Sequence, residues 1–244
     1  MMWLANHYFG EGPGIDKNTP KPEGLRLLLS VLSREWWELL KLNLLFLVFA
    51  LPLVTLPAAA FATVLVTVTM VEDRNVWLFK DFWRAFLSRF WLVTGLGLIF
   101  AAAGGLCGLA LVAYAEAARE SLMFAAPLAV AAAVSAALPL YAASFMVALA
   151  KAGEAKFGTV LRAAAIGVFA RPLPPIFALA FVLALWLVHI AFYPVSVFMP
   201  VLVNFSLGAL VMSLATLEGV QLGFSRLQSR SRYRTTGKPE TQSA

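Results

Sequence analysis

Long apolar stretches separated by charged or Gly/Pro-rich segments divide most of this chain. Six of them are predicted to be transmembrane helices, and they lie at about residues 38–51, 52–71, 90–114, 123–150, 173–190 and 195–220. A helix needs about 20 apolar residues to cross the roughly 30 Å hydrocarbon core of a bilayer. The last four stretches meet that length, so the pattern predicts a polytopic membrane protein.

The first two stretches are separated by residues 52–57 (PLVTLP). Each proline removes a backbone donor and clashes with the preceding turn of a helix. A single kinked helix over residues 42–71 is the alternative, but it would exceed the bilayer core by about half. We therefore predict a helical hairpin that turns at the prolines.

Three amphipathic segments accompany the predicted spans. In the first, Leu25, Leu28 and Leu32 recur at helical spacing before Trp36. The second and third lie in the charged loops 72–90 and 151–171. Apolar residues on one helical face and basic residues on the other are typical of helices lying in a membrane interface. The predicted fold is therefore an all-α bundle of six transmembrane helices with interfacial helices at the N-terminus and in two loops.

The two charged loops resemble each other in sequence. Residues 79–85 (FKDFWRA) align with residues 157–163 (FGTVLRA), and both read Phe-x-x-apolar-apolar-Arg-Ala. The offset of 78 residues is consistent with a duplicated unit of span, amphipathic helix and span. Independent origin is the alternative, because any interfacial helix favours aromatic residues on one face and arginine on the other.

Charge fixes the predicted orientation. The chain is 61% hydrophobic and 13% charged, whereas soluble domains carry about 25% charged residues. In the six-span arrangement, eighteen of the nineteen basic residues lie on one side, and Arg119 is the exception. Basic loops remain cytoplasmic, so both termini are predicted to lie on the cytoplasmic side of the cell membrane. The net charge of +6 thus indicates anionic lipid rather than nucleic acid as the partner.

The same pattern divides the chain into three parts. Residues 1–23 are a Gly/Pro-rich cytoplasmic arm, and residues 24–222 form a single membrane domain with six spans. Residues 223–244 are predicted to be a basic, disordered cytoplasmic tail.

Several short motifs resemble those of one bacterial family. They lie at residues 13–17 (PGIDK), 41–45 (KLNLL), 51–56 (LPLVTL), 77–82 (WLFKDF) and 156–164 (KFGTVLRAA). In this order they resemble the YesL-like membrane proteins, a family of unknown function numbered 624. The resemblance implies an accessory role beside carbohydrate uptake and degradation systems.

Polar residues inside predicted spans are the first place to look for chemistry. Glu218 is a candidate proton or cation site, or else an interfacial carboxylate paired with Arg84, Arg162 or an arginine of the tail. Asn204 and Asn43 are predicted to form hydrogen bonds between helices.

His189, near the outer end of the fifth span, is a candidate titrating group or a structural residue. Ser144 and His189 together suggest a protease, but no residue is placed to orient the histidine. The sequence has no phosphate-binding loop or zinc motif. We expect no enzymatic activity, cofactor or metal.

Small residues fill one stretch of each of the third and fourth spans. These stretches are residues 101–108 (AAAGGLCG) and 129–137 (AVAAAVSAA). Small side chains let helix backbones approach closely, so the two spans are predicted to pack tightly there.

The residues leave two main functional hypotheses. The first is a non-enzymatic accessory of a bacterial carbohydrate uptake system, in contact with membrane lipids and transporter subunits. Its candidate docking motif is Phe79, Phe82, Trp83, Arg84, Phe157 and Arg162. The alternative is a stand-alone carrier or channel for a small solute, which broken spans favour. The sequence does not determine an oligomeric state.

Overall fold

A computed structural model describes residues 22–236, with side chains for residues 22–230. Eight α-helices, and no strand, form this part of the chain. They are α1 (Gly24–Ala50), α2 (Leu56–Val71), α3 (Leu78–Ser88), α4 (Phe90–Glu120), α5 (Ala125–Lys151), α6 (Phe157–Ala170), α7 (Leu173–Ala191) and α8 (Phe205–Thr236). The predicted all-α helix bundle is confirmed.

Five helical segments are long and apolar enough to cross a membrane. They are Leu53–Val71, Phe90–Glu120, Leu122–Lys151, Leu173–Ala191 and Val195–Arg230, in agreement with the second to sixth predicted spans. The chain is therefore a membrane protein. The first predicted span lies in α1 after the non-helical residue Glu35, and residues 36–50 extend only about 22 Å. It is not among the five, so the sixth crossing remains a prediction.

The predicted break at the prolines is present. Helix α1 ends at Ala50, a single 3₁₀ turn follows at Leu53–Thr55, and α2 begins at Leu56. Arg34, near the other end of α1, forms an ion pair with Asp73 just beyond α2. Contacts at both ends mean that α1 and α2 form an antiparallel hairpin.

Helix α2 lies at the centre of the bundle. Of its most apolar stretch, 61% is buried, against 0% for α4. Its Thr67 hydroxyl lies 2.8 Å from the Ser213 hydroxyl of α8, within the buried core. Since α4, α5 and α7 keep most of their apolar surface exposed, they are the helices that lipid must cover.

Helices α6 and α8 pack with their backbones in contact. A Cβ built on Gly219 would lie 2.8 Å from the Gly167 carbonyl oxygen, and one built on Gly223 would overlap the Ala163 backbone. Ala163 and Gly167 are four residues apart, as are Gly219 and Gly223. This spacing aligns small residues on one face of each helix, which allows the two backbones to touch.

The predicted close packing of α4 and α5 through the small residues of 101–108 and 129–137 holds only in part: a Cβ added at Gly104 would lie 3.9 Å from the Leu138 side chain of α5. A Cβ added at Gly105 or Gly108 would meet no atom within 4 Å, so these residues face outward. Helices α4 and α5 also pair through larger side chains, such as Phe100 and Tyr141, whose rings lie 6.1 Å apart. Hydrophobicity does not separate lipid-facing from helix-facing small residues, because both environments are apolar.

The predicted disordered tail also needs correction. Helix α8 continues to Thr236, so residues 223–236 are helical. The contact of Gly223 with α6 explains part of this extension, because it packs the helix beyond the predicted end of the last span. The N-terminal arm at residues 1–21 and the last residues, 237–244, lie outside the described part of the chain.

Candidate functional site

Helix α3 packs into the bundle through aromatic rings. Phe82 is fully buried and Phe86 nearly so. The Phe49 ring at the end of α1 lies 5.4 Å from Phe82, 5.6 Å from Trp83 and 5.1 Å from Phe86. At the start of α3, the Asp81 carboxylate accepts a hydrogen bond from the Trp77 amide at 2.8 Å, which stabilises the first turn.

Helix α6 packs along α5 as well as α8. The Ser144 hydroxyl donates to the Ala164 carbonyl at 3.1 Å, and the Tyr141 hydroxyl donates to the Leu161 carbonyl at 3.3 Å. The segment predicted as an interfacial helix is thus integrated into the bundle.

The two helices show the same pattern of burial at an offset of 78 residues. Three aligned pairs are buried in both helices: Phe82 and Val160, Ala85 and Ala163, Phe86 and Ala164. Three aligned pairs are exposed in both: Phe79 and Phe157, Lys80 and Gly158, Arg84 and Arg162. The similarity of sequence therefore extends to which positions are buried and which are exposed, and this is consistent with duplication.

The ends of the preceding spans correspond too. A residue with positive φ follows each one, Asp73 (φ 56°) after α2 and Gly153 (φ 50°) after α5. Glu72 and Lys151 at these two ends form an ion pair with each other. The Arg89 guanidinium donates to the Gly153 carbonyl at 3.3 Å. Polar contacts thus tie the two proposed units together at one end of the bundle.

Most residues of the candidate docking motif are exposed, and one is buried. Phe79 is 64% exposed, and Trp83 and Phe157 are each 42% exposed. Arg84 and Arg162 are exposed, and neither forms an ion pair with a residue that the structure describes.

Phe82 is 0% exposed and belongs to the core, so its prediction as a docking residue is wrong. The helical pattern placed Phe82 on the aromatic face. It did not show that this part of the face packs against Phe49.

Glu218 pairs with Arg171, the residue between α6 and α7. This is the predicted interfacial ion pair, but among the described side chains the partner is Arg171 and not Arg84, Arg162, Arg226 or Arg230. The tail arginines beyond residue 230 lie outside the described side chains. Both side chains are about half exposed. Glu218 is paired and exposed, so it lacks the buried position expected of an intramembrane proton site.

Asn43 inserts its side-chain amide into the beginning of α8. Its Nδ2 donates to the carbonyls of Pro200 at 2.9 Å and Val201 at 2.6 Å. Its Oδ1 accepts from the amides of Phe205 and Ser206, both at 3.0 Å. The predicted interhelical role of Asn43 is confirmed, and the structure adds that one side chain satisfies four backbone groups of a broken helix.

Asn204 behaves differently. It ends the π-helical turn Pro200–Asn204 and is 1% exposed, and within the described part of the chain neither its Nδ2 nor its Oδ1 has a hydrogen-bond partner. Its predicted interhelical hydrogen bond is wrong. A buried amide without partners is costly, and π turns are frequent at functional sites.

His189 closes the turn after α7. Its Nδ1 lies 3.0 Å from the Ser196 carbonyl, and the Ser196 hydroxyl donates to the His189 carbonyl at 2.6 Å. The Trp186 ring packs edge-on against the imidazole at 5.9 Å. Since Ser144 bonds to Ala164 instead, the serine and histidine form no catalytic pair, and the structural interpretation of His189 is favoured.

Comparison with known proteins gives one match. Residues 39–111 match a family model described as a protein of unknown function, DUF624. This part of the chain, about a third of its length, is similar to the DUF624 family. The DUF624 segment runs from α1 into α4 and includes α3, and it confirms the resemblance read from the sequence. No curated protein and no solved structure matches the chain significantly.

Proposed function

We propose that this protein is a non-enzymatic accessory of a bacterial carbohydrate uptake system. It lies in the cell membrane with both termini in the cytoplasm. The exposed faces of α3 and α6 contact a transporter subunit on the cytoplasmic side. The resemblance of the sequence motifs to the YesL-like proteins implies the carbohydrate system, and the distribution of basic residues supports the orientation. The matched family model itself carries no function.

The observation that carries the proposal is the shared exposed face. Phe79 and Phe157 are exposed at equivalent positions, and so are Arg84 and Arg162. Aromatic residues and arginine are enriched in the parts of interfaces that contribute most binding energy. Two copies of such a face on one bundle provide two similar contact points for a partner.

Two features of the described part of the bundle favour an accessory over a carrier. Carriers use broken helices whose free backbone groups bind the substrate. In this chain Asn43 already occupies those groups at the beginning of α8. A crevice between α5 and α8, lined by Ser144, Arg171 and Thr216, has no space for a water molecule. Neither place offers a substrate a polar route.

One observation favours the alternative of a stand-alone small-solute carrier or channel. The unpartnered amide of Asn204 lies beside the break in α8, where a solute or water could satisfy it. In that case the purified protein in lipid vesicles would admit small sugars, and Asn204→Leu would abolish uptake. Vesicles that stay impermeable to small sugars would contradict the carrier and leave the accessory role as the proposal.

The accessory role is tested by recovery of a partner. The full-length protein is purified in mild detergent from cells grown on a carbohydrate, and transporter subunits are identified by mass spectrometry. We expect Arg84→Gln with Arg162→Gln to remove these subunits while expression and membrane insertion stay unchanged. The matched control is Arg26→Gln with Arg119→Gln, which removes two exposed cations elsewhere. An intact complex from the first variant would contradict the proposal.

The orientation is tested by labelling with a membrane-impermeant thiol reagent in intact cells. Cys107, the single native cysteine, is first replaced by alanine. A cysteine at Ala118 should react from outside, and one at Ser229 should react only after lysis. Reversed labelling would contradict the cytoplasmic placement of α3 and α6.

A further inference from the structure

The small-residue contact between α6 and α8 continues into a group of cations. On α8, Gly219, Gly223, Arg226 and Arg230 follow one another at spacings of four, three and four residues. This spacing places all four on one face of the helix. The glycines meet α6, and the exposed arginines extend the same face by two turns.

The facing side of α6 follows the same rule. Lys156, Val160, Ala163 and Gly167 are also spaced by four, three and four residues. Gly167 meets Gly219, and Ala163 meets Gly223 four residues further along α8, so the two helices run antiparallel. The next two turns therefore bring Lys156, just before α6, to the end of the contact occupied by Arg226 and Arg230.

These three cations have no visible counter-charge. All are exposed, and none forms an ion pair with a residue that the structure describes. Glu154 lies in the loop before Lys156 and is exposed. Glu218 is occupied by Arg171 at the other end of the contact. Like charges brought together by helix packing repel one another, so the group favours an anion.

We infer that the end of the α6–α8 contact binds the headgroup of an anionic phospholipid of the inner leaflet. Arg226 and Arg230 lie at the end of the apolar segment Val195–Arg230, which in the orientation proposed above is at the inner face of the membrane, where anionic headgroups lie. Arginine matches the geometry of a phosphate, and lysine adds a point charge. The inference specifies one lipid site within the basic surface and does not depend on a protein partner.

The test uses the purified full-length protein in neutral detergent. Phosphatidylglycerol is titrated and binding is followed by native mass spectrometry, with phosphatidylcholine and inorganic phosphate as parallel ligands. We expect the triple change Lys156→Gln, Arg226→Gln and Arg230→Gln to weaken phosphatidylglycerol binding about a hundredfold, since each basic residue near an anionic surface contributes about 1 kcal/mol. Raising the salt concentration should weaken wild-type binding in the same direction.

The matched control replaces three exposed cations away from the contact, Arg26, Lys80 and Arg119, by glutamine. It should bind phosphatidylglycerol like the wild type. An equal loss in the control, unchanged binding by the triple variant, or equal binding of inorganic phosphate would each overturn the site. Arg230→Gln alone, placed beyond the glycine contact, gives a smaller loss without risk to folding. The thiol labelling tests the orientation separately, so a failure of the lipid site can be distinguished from a failure of the proposed orientation.

Discussion

Helix α3 joins the bundle through phenylalanine rings, whereas α6 joins it through alanine and glycine. Phe82 and Phe86 surround Phe49 of α1. At the aligned positions α6 has Val160 and Ala164, and its Gly167 touches the backbone of α8. Helix α3 packs through large side chains, whereas α6 packs through direct contact between helix backbones.

The exposed faces of these two helices do not differ in the same way. Each keeps a phenylalanine and an arginine at equivalent exposed positions, Phe79 and Arg84 in α3 and Phe157 and Arg162 in α6. Packing therefore does not explain the exposed residues, since two different kinds of packing accompany the same surface. A common contact outside the bundle explains them better, which is why the docking proposal rests on them.

The largest expected effect tests the packing of α3. Phe82→Ala removes a fully buried ring and should lower the free energy of unfolding by about 3–5 kcal/mol, because a large cavity remains. Phe79→Ala, on the exposed face, should change it by less than about 0.5 kcal/mol. Both are measured by denaturant unfolding in detergent. Equal effects would mean that α3 is not anchored by its buried face.

How far the sequence predicts this packing differs between features. Helix ends can be predicted from local chemistry. Pro52 and Pro57 interrupt the helix and so form the turn of the first hairpin, and α2 ends at Val71 as predicted. The helix faces that make contacts cannot be predicted from the sequence, because lipid and protein are equally apolar surroundings for a small residue. Gly105 and Gly219 therefore look alike in sequence, although one faces outward and the other touches a backbone.

The candidate site shows the same limit. Exposure of Arg84 and Arg162 follows from the cost of burying a charge without a partner. The role of Asn43 depends on the break at Pro200–Asn204, just before α8. The proline is a sequence signal for that break, but the sequence does not show that Asn43 lies opposite it. Burial of Phe82 depended on a ring 33 residues away, Phe49.

A second change tests the packing of α6. Gly223→Ala places a methyl group against the Ala163 backbone and should lower the free energy of unfolding by about 1–3 kcal/mol, because the two helices must separate. Gly108→Ala in α4 is the control, since its added methyl meets nothing within 4 Å. Thermal unfolding in detergent compares them. A harmless Gly223→Ala would remove the contrast between the two helices.

A smaller effect tests the link between the two proposed units. Lys151→Gln removes the ion pair with Glu72, whose side chain is 16% exposed. We expect a loss of about 1 kcal/mol, limited because Arg74 also pairs with Glu72. Lys41→Gln, which removes an exposed pair with Glu38, should cost less. A greater cost for Lys41→Gln in the same unfolding assay would argue against a structural link at this end.

The smallest expected effect on stability belongs to the exposed arginines. Arg84→Gln and Arg162→Gln, made singly, should each change the free energy of unfolding by less than about 0.5 kcal/mol, because neither side chain is buried or paired with a described residue. Each should nevertheless reduce recovery of transporter subunits by a similar factor. A loss confined to one of the two variants would show that the helices are not equivalent in function.

The most direct measurement of the docking proposal is photo-crosslinking in living cells. A photoreactive phenylalanine analogue replaces Phe79 or Phe157 in turn, and Leu109, exposed on the α4 surface that lipid must cover, serves as the control position. The proposal predicts an adduct with the same carbohydrate transport system from both phenylalanine positions and none from Leu109. Adducts with lipid alone at all three positions would contradict it.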